Sequence, residues 1–257
     1  MVAANRSIHA PSSQELQAGH GETPMLRYAV LGIIGLVASS AWAQQAPPQA
    51  ETSAPSLSAA PVQHSKAVVS MEEPLPGDHW TYEVRDEITG TVSATRANVV
   101  TEVTPADIGV RFKIVGTPNE GLNVYDRSWN LIDSGPWRFS PSDGTGIRAP
   151  LTTGKTWAFE ANEINAGNGN IWKRSGRSKV VGPETLTTRA GTFETFKIET
   201  IYSTHNVKDP TRKTEVTSQT WYAPAIDHWV KRTFVNRANK HLSVNNTIEL
   251  TEYGRKQ

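Results

Sequence analysis

The sequence predicts an all-β protein: a single domain of antiparallel strands forming a curved, partly closed sheet of the half-barrel or sandwich type. Short stretches in which β-branched and aromatic residues alternate with polar ones recur along the chain, and turn signals rich in Gly, Pro, Asn and Asp separate them. Past Glu72, no stretch long enough for a stable helix shows a helical period. These observations together favour strands over helices.

The first 43 residues have the pattern of a signal peptide. An apolar run over residues 28–38 leads to Ala41 and Ala43, whose small side chains suit cleavage after Ala43. The run is shorter than the roughly 20 residues needed to cross a bilayer. We therefore expect an exported protein without a stable transmembrane anchor.

Residues 44–71 are rich in Ala, Pro, Gln and Ser and contain few large apolar side chains. Such a segment buries too little apolar surface to offset its loss of conformational entropy. We predict a flexible tether there and a folded domain over residues 72–257. At the start of the chain, either Met1 or Met25 is the true first residue, because residues 1–24 are polar and unpatterned.

The predicted strands follow one another from the start of the domain, each supported by period-2 alternation or by β-branched residues between turn signals. They cover residues 77–86, 91–104, 110–114, 122–126, 129–132, 157–161, 171–181, 217–223, 229–235 and 242–251. A stretch with several Gly and Pro residues, 133–151, is predicted to be the longest loop.

A hairpin over Val181–Glu199 is predicted to organise the domain. Two runs of β-branched and aromatic residues flank a tight turn that contains glycine. In its second strand, Phe196 and Ile198 alternate with Lys197 and Glu199. We expect the first pair in the core and the second pair in solvent.

Composition and motifs exclude several classes of function. The formal net charge of +1, with 20% charged residues, gives no field that would favour nucleic acid. The chain has no cysteine, which removes disulfides, thiol nucleophiles and Cys-ligated zinc. Gly-x-Ser-x-Gly, a P-loop and His-Glu-x-x-His are also absent. We predict a protein that is not an enzyme and carries no metal or cofactor.

Ionisable residues form two patterns that resemble catalytic arrangements. Asp78-His79-Trp80 and Asp227-His228-Trp229 repeat one tripeptide, but adjacent residues of a strand point to opposite faces, which favours two strand starts. Asp126 and Asp133 flank Trp129 and resemble a glycosidase carboxylate pair beside a sugar-stacking aromatic residue, yet both stand where turns favour Asp. A basic cluster is interpreted as a solvated strand face: Lys173, Arg174, Arg177 and Lys179.

Three segments of the domain carry a family resemblance. They are Gly77-Asp78-His79-Trp80-Thr81-Tyr82, the hairpin Glu184–Lys197 with its Ala190-Gly191-Thr192-Phe193 turn, and Trp221-Tyr222-Ala223-Pro224 followed by Val230-Lys231-Arg232. In these segments the chain resembles uncharacterised bacterial periplasmic β-sheet proteins of the TapB-homology-domain type. The resemblance implies a curved antiparallel sheet in the cell envelope, and it implies no activity and no functional residue.

We expect an exported, periplasmic or secreted protein of the cell envelope that binds an apolar or amphipathic ligand on the concave face of its sheet. The candidate ligand-binding residues are four aromatic ones, Trp80, Tyr82, Trp157 and Trp221. A protein–protein interaction or assembly module that uses a sheet edge or face is the alternative. A hydrolase with an unrecognised site comes third, and the sequence leaves the ligand, the partner and the oligomeric state open.

Overall fold

A computed structural model describes residues 70–255, and twelve strands of this region close into an antiparallel barrel. The strands are β1 (His79–Asp86), β2 (Thr91–Val103), β3 (Asp107–Ile114), β4 (Glu120–Asp126), β5 (Leu131–Ser134), β6 (Trp137–Ser140), β7 (Thr156–Asn165), β8 (Ile171–Thr188), β9 (Gly191–Asn206), β10 (Lys213–Ala223), β11 (His228–Ala238) and β12 (His241–Gly254). Each strand pairs with its sequence neighbours, and β1 also pairs with β12. A 3-10 helix, Pro224–Ile226, joins β10 to β11.

The predicted all-β antiparallel class is confirmed, and the closure of the sheet is complete. The strand prediction is wrong within residues 133–151, because this stretch contains β6. That strand has four residues and is flanked by Pro136 and Pro141, so it is too short to display an alternation. The predicted signal peptide, and the predicted tether up to residue 69, lie outside the described residues.

The barrel has two distinct ends. The turn end carries the connections at residues 87–90, 115–119, 135–136, 166–170, 207–212 and 239–240. The loop end carries those at residues 104–106, 127–130, 141–155, 189–190 and 224–227. Antiparallel order forces this arrangement, since alternate connections emerge at opposite ends.

The predicted hairpin is present as β8 and β9, joined by Arg189 and Ala190. These two strands outlast β10, whose pairing with β9 ends at Phe196. Beyond that point the hairpin lies against strands that are not its ladder neighbours. Arg189 forms an ion pair with Glu83 of β1, and the ring centroid of Phe193 is 5.6 Å from that of Tyr253 in β12. The far part of the hairpin therefore covers the barrel near its loop end.

Side-chain positions in β9 match the predicted alternation except at Lys197 and Glu199, which are half-buried and not in solvent. Ile198, Thr200 and Tyr202 are buried, and Phe196 is half-buried against the same interior cluster. Lys197 was expected in solvent, but it is half-buried, with Nζ 4.9 Å from the ring centroid of Trp221. The aliphatic stem of a lysine covers an aromatic ring while its ammonium group stays hydrated.

The core forms two clusters of buried side chains. One lies toward the loop end and includes Trp80, Tyr82, Val100, Ile108, Trp129, Phe193, Trp221, Val230 and Leu250. The other lies along β7 to β10 and includes Ile147, Trp157, Phe159, Val180, Ile198, Tyr202 and Val216. Met71 is fully buried in the first cluster and its N–H donates to the Ala225 carbonyl at 2.7 Å. Packing therefore begins one residue before the predicted boundary at 72.

Candidate functional site

The connection between β6 and β7 turns into the barrel and fills part of its interior. Asp143, Gly144 and Ile147 in this inner loop (residues 141–147) are buried. A Cβ atom on Gly144 would stand 2.3 Å from the ring of Phe159, so only glycine permits this approach. Ile147 packs in the interior cluster with Trp157. The inner loop thus occupies the space beside β7 to β9.

The interior beside β11, β12 and β1 to β3 is accessible. Toward the loop end its inward-facing side chains, such as Val230 and Leu250, are fully buried. Toward the turn end, the inward-facing side chains of these strands are partly exposed. The inward-facing side chains of β9, in contrast, stay buried as far as Asn206. We name this partly exposed set the open side; its apolar members are Val84, Phe112, Ile114, Phe234, Val244 and Ile248, and its polar members are Arg96, Arg232, Asn236 and Asn246.

Arg232 presents an unpaired guanidinium group on the open side. Its Nε donates to Thr220 Oγ1 at 3.1 Å, and its Cζ lies 4.1 Å from the ring centroid of Trp229. Within residues 70–255, neither terminal nitrogen of Arg232 has a hydrogen bond or a carboxylate partner. Burial lowers the pKa of Arg232, and Asp143 offsets part of that effect. An arginine keeps its charge at neutral pH, so four N–H donors face an accessible interior.

Arg96 has the same arrangement on β2. Its Nε donates to Asn98 Oδ1 at 3.0 Å, and its Cζ lies 4.2 Å from the ring centroid of Phe112. A Cβ on Gly121 would stand 2.8 Å from the Phe112 ring, so this glycine makes room for the ring that supports Arg96. In the part of the chain that the structure describes, the terminal nitrogens of Arg96 also lack a protein partner.

Tyr125 of β4 adds a neutral donor, and its ring packs against the buried cluster at the loop end. Its hydroxyl oxygen accepts from Asn123 Nδ2 at 2.9 Å, and its own proton has no acceptor among the described side chains and backbone. Burial raises the pKa of Tyr125, and the charges of Arg96 and Arg232 offset part of that effect. Tyr82 differs because its hydroxyl already donates to the Trp229 carbonyl at 2.9 Å.

Arg174 of β8 is the contrasting case, since its charge is matched. Its Nη1 lies 3.5 Å from Asp143 Oδ2 and its Nη2 lies 2.5 Å from Glu163 Oε1. Burial alone would lower the pKa of Arg174, but Tyr202 and the two carboxylates raise it. The three interior arginines and these two carboxylates together leave an excess of one positive charge.

An aromatic cluster closes the interior toward the loop end. The imidazole of His228 has ring centroids of three tryptophans around it, Trp229 at 3.7 Å, Trp80 at 4.3 Å and Trp129 at 4.5 Å. Burial lowers the pKa of His228 well below its usual value, and Arg232 lowers it further, so the imidazole is neutral. Its Nδ1 is buried without a partner within residues 70–255.

Asp227 ties this cluster together. Tyr222 donates its hydroxyl to Asp227 Oδ1 at 2.6 Å, and Trp129 Nε1 donates to Oδ2 at 3.1 Å. Burial raises the pKa of Asp227 to about 6, although the two hydrogen bonds favour the charged form. The carboxylate does not bond to His228, so the pair is not a base-orienting dyad.

The structure separates the four predicted ligand-binding residues. Trp80 and Tyr82 lie in the buried cluster at the loop end, while Trp157 packs against the inner loop in the other cluster. Trp221 is 7% exposed; Lys197 covers its ring, and its Nε1 donates to Glu184 Oε2 at 3.0 Å. All four are core residues, and only Tyr82 borders the open side. Their role in ligand binding stays a prediction.

The two Asp-His-Trp tripeptides meet, but they do not form a catalytic pair. Trp80 of the first packs against His228 of the second across β12, which lies between β1 and β11. Asp78 pairs with Arg255, whose Nε lies 2.9 Å from Oδ1. No group of three or more His, Asp or Glu side chains between Ser70 and Arg255 is arranged to hold a metal ion.

The glycosidase-like pair is also explained by local structure. Asp126 accepts from the backbone N–H groups of Ser128 and Asn130, and these bonds hold the turn in which Trp129 has a φ of 60°. Asp133 lies in β5 and not in a turn, so that part of the prediction is wrong, and it pairs with Arg138 at 3.3 Å. The interpretation of the basic cluster is wrong for Arg174, which points inward, and agrees with Lys173, Arg177 and Lys179, which are exposed.

A second concave region lies at the loop end. It is a groove of about 610 Å³ between the hairpin and the 3-10 helix, lined in part by Pro183, Phe193, Phe196 and Pro224. Its lining includes neither Arg96 nor Arg232. In residues 70–255, no helix is long and apolar enough to span a membrane.

Comparisons with known proteins give one sequence family. The DUF3108-like family matches residues 156–246, which run from β7 into β12 and include Arg174 and Arg232. No curated protein matches the chain at a significant level. Similarity to the TapB-homology-domain type is not among these matches, so that finer resemblance stays a prediction.

Several solved structures resemble the chain distantly. A "putative lipoprotein" from Parabacteroides distasonis has 14% identity and a TM-score of 0.46, covering 72% of this chain and 99% of its own. A "putative exported protein with YmcC-like fold" from Bacteroides fragilis also has 14% identity and a TM-score of 0.46, with 74% and 100% covered. The hypothetical lipoprotein YmcC from Escherichia coli has 10% identity and a TM-score of 0.43, with 71% and 87% covered.

Proposed function

We propose that this is an exported, non-enzymatic protein of the cell envelope that binds an amphipathic molecule inside its barrel. The observation that carries the proposal is the open side, where apolar and cationic side chains face an interior that is only partly filled. Small-molecule sites are concave and mostly apolar, with a few polar groups that fix the orientation of the ligand. Export rests on the signal-peptide pattern of the first 43 residues.

Division of the interior supports this role. The inner loop fills the space beside β7 to β9, and the aromatic cluster closes the loop end. An apolar chain that enters from the turn end would then pack against side chains such as Phe234 and Ile248. The alternative role in assembly has less support, because closure pairs β1 with β12 and leaves no edge strand in the described barrel, although the far ends of β8 and β9 extend past their neighbours.

Binding of the neutral probe N-phenyl-1-naphthylamine tests the proposal without invoking charge. The chain purified after export should bind the probe with enhanced fluorescence. Val84→Trp, which places a large ring on the open side, should weaken binding by about tenfold or more. Val99→Trp on the outward face of β2 is the matched control, and its affinity should stay within about twofold of the wild type.

Thermal melts establish that both variants are folded. Failure of the wild-type chain to bind the probe would contradict the proposal. Equal binding by wild type and Val84→Trp would also contradict it, because the probe would then sit elsewhere, for instance in the groove at the loop end.

A further inference from the structure

Resting on the proposed function, we propose that the open side recognises the carboxylate of a long-chain fatty acid through Arg96, Arg232 and Tyr125. The chain's own contacts leave these three groups with unused donors. Each guanidinium group is fixed by a neutral acceptor at Nε and by an aromatic ring on one face, which leaves its terminal nitrogens for a ligand.

Charged groups of this kind rarely stay unpaired inside a protein. Removing a guanidinium group from water costs free energy unless a carboxylate or phosphate compensates it. Arg174 shows the usual solution in the same barrel, with Asp143 and Glu163 both in contact. Arg96 and Arg232 lack such a partner among residues 70–255, so their compensating anion is expected to come from outside the chain.

The count of charges identifies the class of anion. Three arginines and two carboxylates face this part of the interior and leave one positive charge in excess, Asp227 at the closed loop end not being counted. A monoanion neutralises that excess and a dianion would exceed it. A guanidinium group binds the two oxygens of a carboxylate through parallel N–H···O bonds, and a phenol O–H strengthens when its acceptor is charged. The surrounding open side is apolar at Val84, Phe234 and Ile248, as an alkyl chain requires.

Alternative occupants differ in charge and are distinguishable. A neutral amphiphile would fill the apolar part and leave both arginines uncompensated. A phosphate monoester would bring up to two negative charges. We therefore compare laurate, dodecanol and dodecyl phosphate, which share one alkyl chain, by displacement of N-phenyl-1-naphthylamine from the full exported chain.

Laurate is expected to displace the probe at a concentration at least about tenfold lower than dodecanol, because hydrogen bonds to a charged acceptor are about twice as strong as those to a neutral one. Arg232→Met and Arg96→Met should each remove most of that preference, and Tyr125→Phe should reduce it. Dodecanol carries no charge, so the preference in each variant is measured as the ratio of the dodecanol and laurate concentrations that displace half of the probe. Arg111→Met, on the exposed outward face of β3, should leave the preference intact.

Each outcome decides between the two proposals. If laurate and dodecanol displace the probe equally, carboxylate recognition is contradicted while the binding role stands. If dodecyl phosphate displaces the probe at lower concentration than laurate, the assignment to a carboxylate is contradicted. If the wild-type chain does not bind the probe, the proposed function fails. A laurate preference that survives in both arginine variants would also contradict the inference.

Discussion

Individual arginines behave differently inside this barrel according to their partners. Arg174 contacts two carboxylates, whereas Arg232 contacts a hydroxyl group and an indole ring. Removing one member of a buried ion pair leaves an uncompensated charge, while removing an unpaired charge relieves a desolvation cost. In the absence of a ligand, the charge of Arg174 therefore stabilises the folded protein and the charge of Arg232 destabilises it.

Arg174→Met should lower the free energy of unfolding by about 3–5 kcal/mol, because Asp143 and Glu163 lose their partner. Arg232→Met should leave it unchanged or raise it, since methionine fills similar space without a charge. Urea denaturation of the ligand-free variants measures both. A large loss of stability in Arg232→Met would show that its guanidinium group has a structural role.

Asp227 should make stability depend on pH. Its pKa is raised in the folded protein from 3.8 to about 6, chiefly by burial. Between about pH 4 and 6 the folded state therefore holds a proton that the unfolded chain has released, so this contribution to stability falls as pH rises, by up to about 3 kcal/mol. Asp227→Asn removes that slope.

His228 makes stability depend on pH in the opposite direction. Its pKa is lowered on folding, so the unfolded state gains a proton first as pH falls below about 6.5, and stability decreases. Both proteins contain His228, so the difference in unfolding free energy between wild type and Asp227→Asn isolates the carboxyl group. A difference that does not change between pH 4 and 7 would contradict the raised pKa.

Among the elements, strands with strict alternation could be predicted from sequence and the inner loop could not. In β9, the inward residues Ile198, Thr200 and Tyr202 follow the period that a half-buried strand requires. The inner loop has no period. It is buried because Gly144 permits contact with Phe159 and because Asp143 pairs with Arg174. Both contacts depend on distant strands.

The same limit explains why the candidate site was missed. Period-2 alternation places Arg96 and Arg232 on inward faces, but an arginine in a strand usually marks the solvated face. Nothing in the local sequence shows that Asn98 and Thr220 accept the hydrogen bonds from the two arginine Nε atoms. Nor does it show that the rings of Phe112 and Trp229 lie against the guanidinium groups. The four aromatic residues that the sequence favours are core residues, as large apolar side chains in a barrel usually are.

Two isoleucines of β9 test the assignment of its faces. Ile198 is 3% exposed and Ile201 is 50% exposed. Ile198→Ala should lower the free energy of unfolding by about 2–5 kcal/mol, since it empties a packed site. Ile201→Ala should change it by less than about 0.5 kcal/mol. Denaturant midpoints with a common slope provide the comparison, and similar losses at both positions would contradict the observed register.

At the scale of the whole molecule, antiparallel strands were predictable and the closing pair was not. Pairing of β1 with β12 joins residues such as Tyr82 and Leu250, which are far apart in sequence. Short-range patterns carry no information on such pairing. Closure matters for function because it converts a concave face into an interior that only the two ends can open.

The predicted signal peptide implies a mature chain that starts at Gln44. Mass spectrometry of the protein recovered from its native envelope should give that N-terminus. Deletion of residues 44–70 should then change the melting temperature little, because Met71, the first residue seen in the core, is retained. Retention of the apolar run, or a loss of several degrees on deletion, would contradict the corresponding prediction.

The central claim is that the ligand lies inside the barrel on the open side. Paramagnetic broadening by stearate with a nitroxide at carbon 5 measures this directly in the isotope-labelled protein. The account predicts selective broadening of amide signals from Val84, Phe234 and Ile248, with little effect at Thr192 and Phe193 in the groove. Broadening confined to the groove residues, with the open side unaffected, would contradict it.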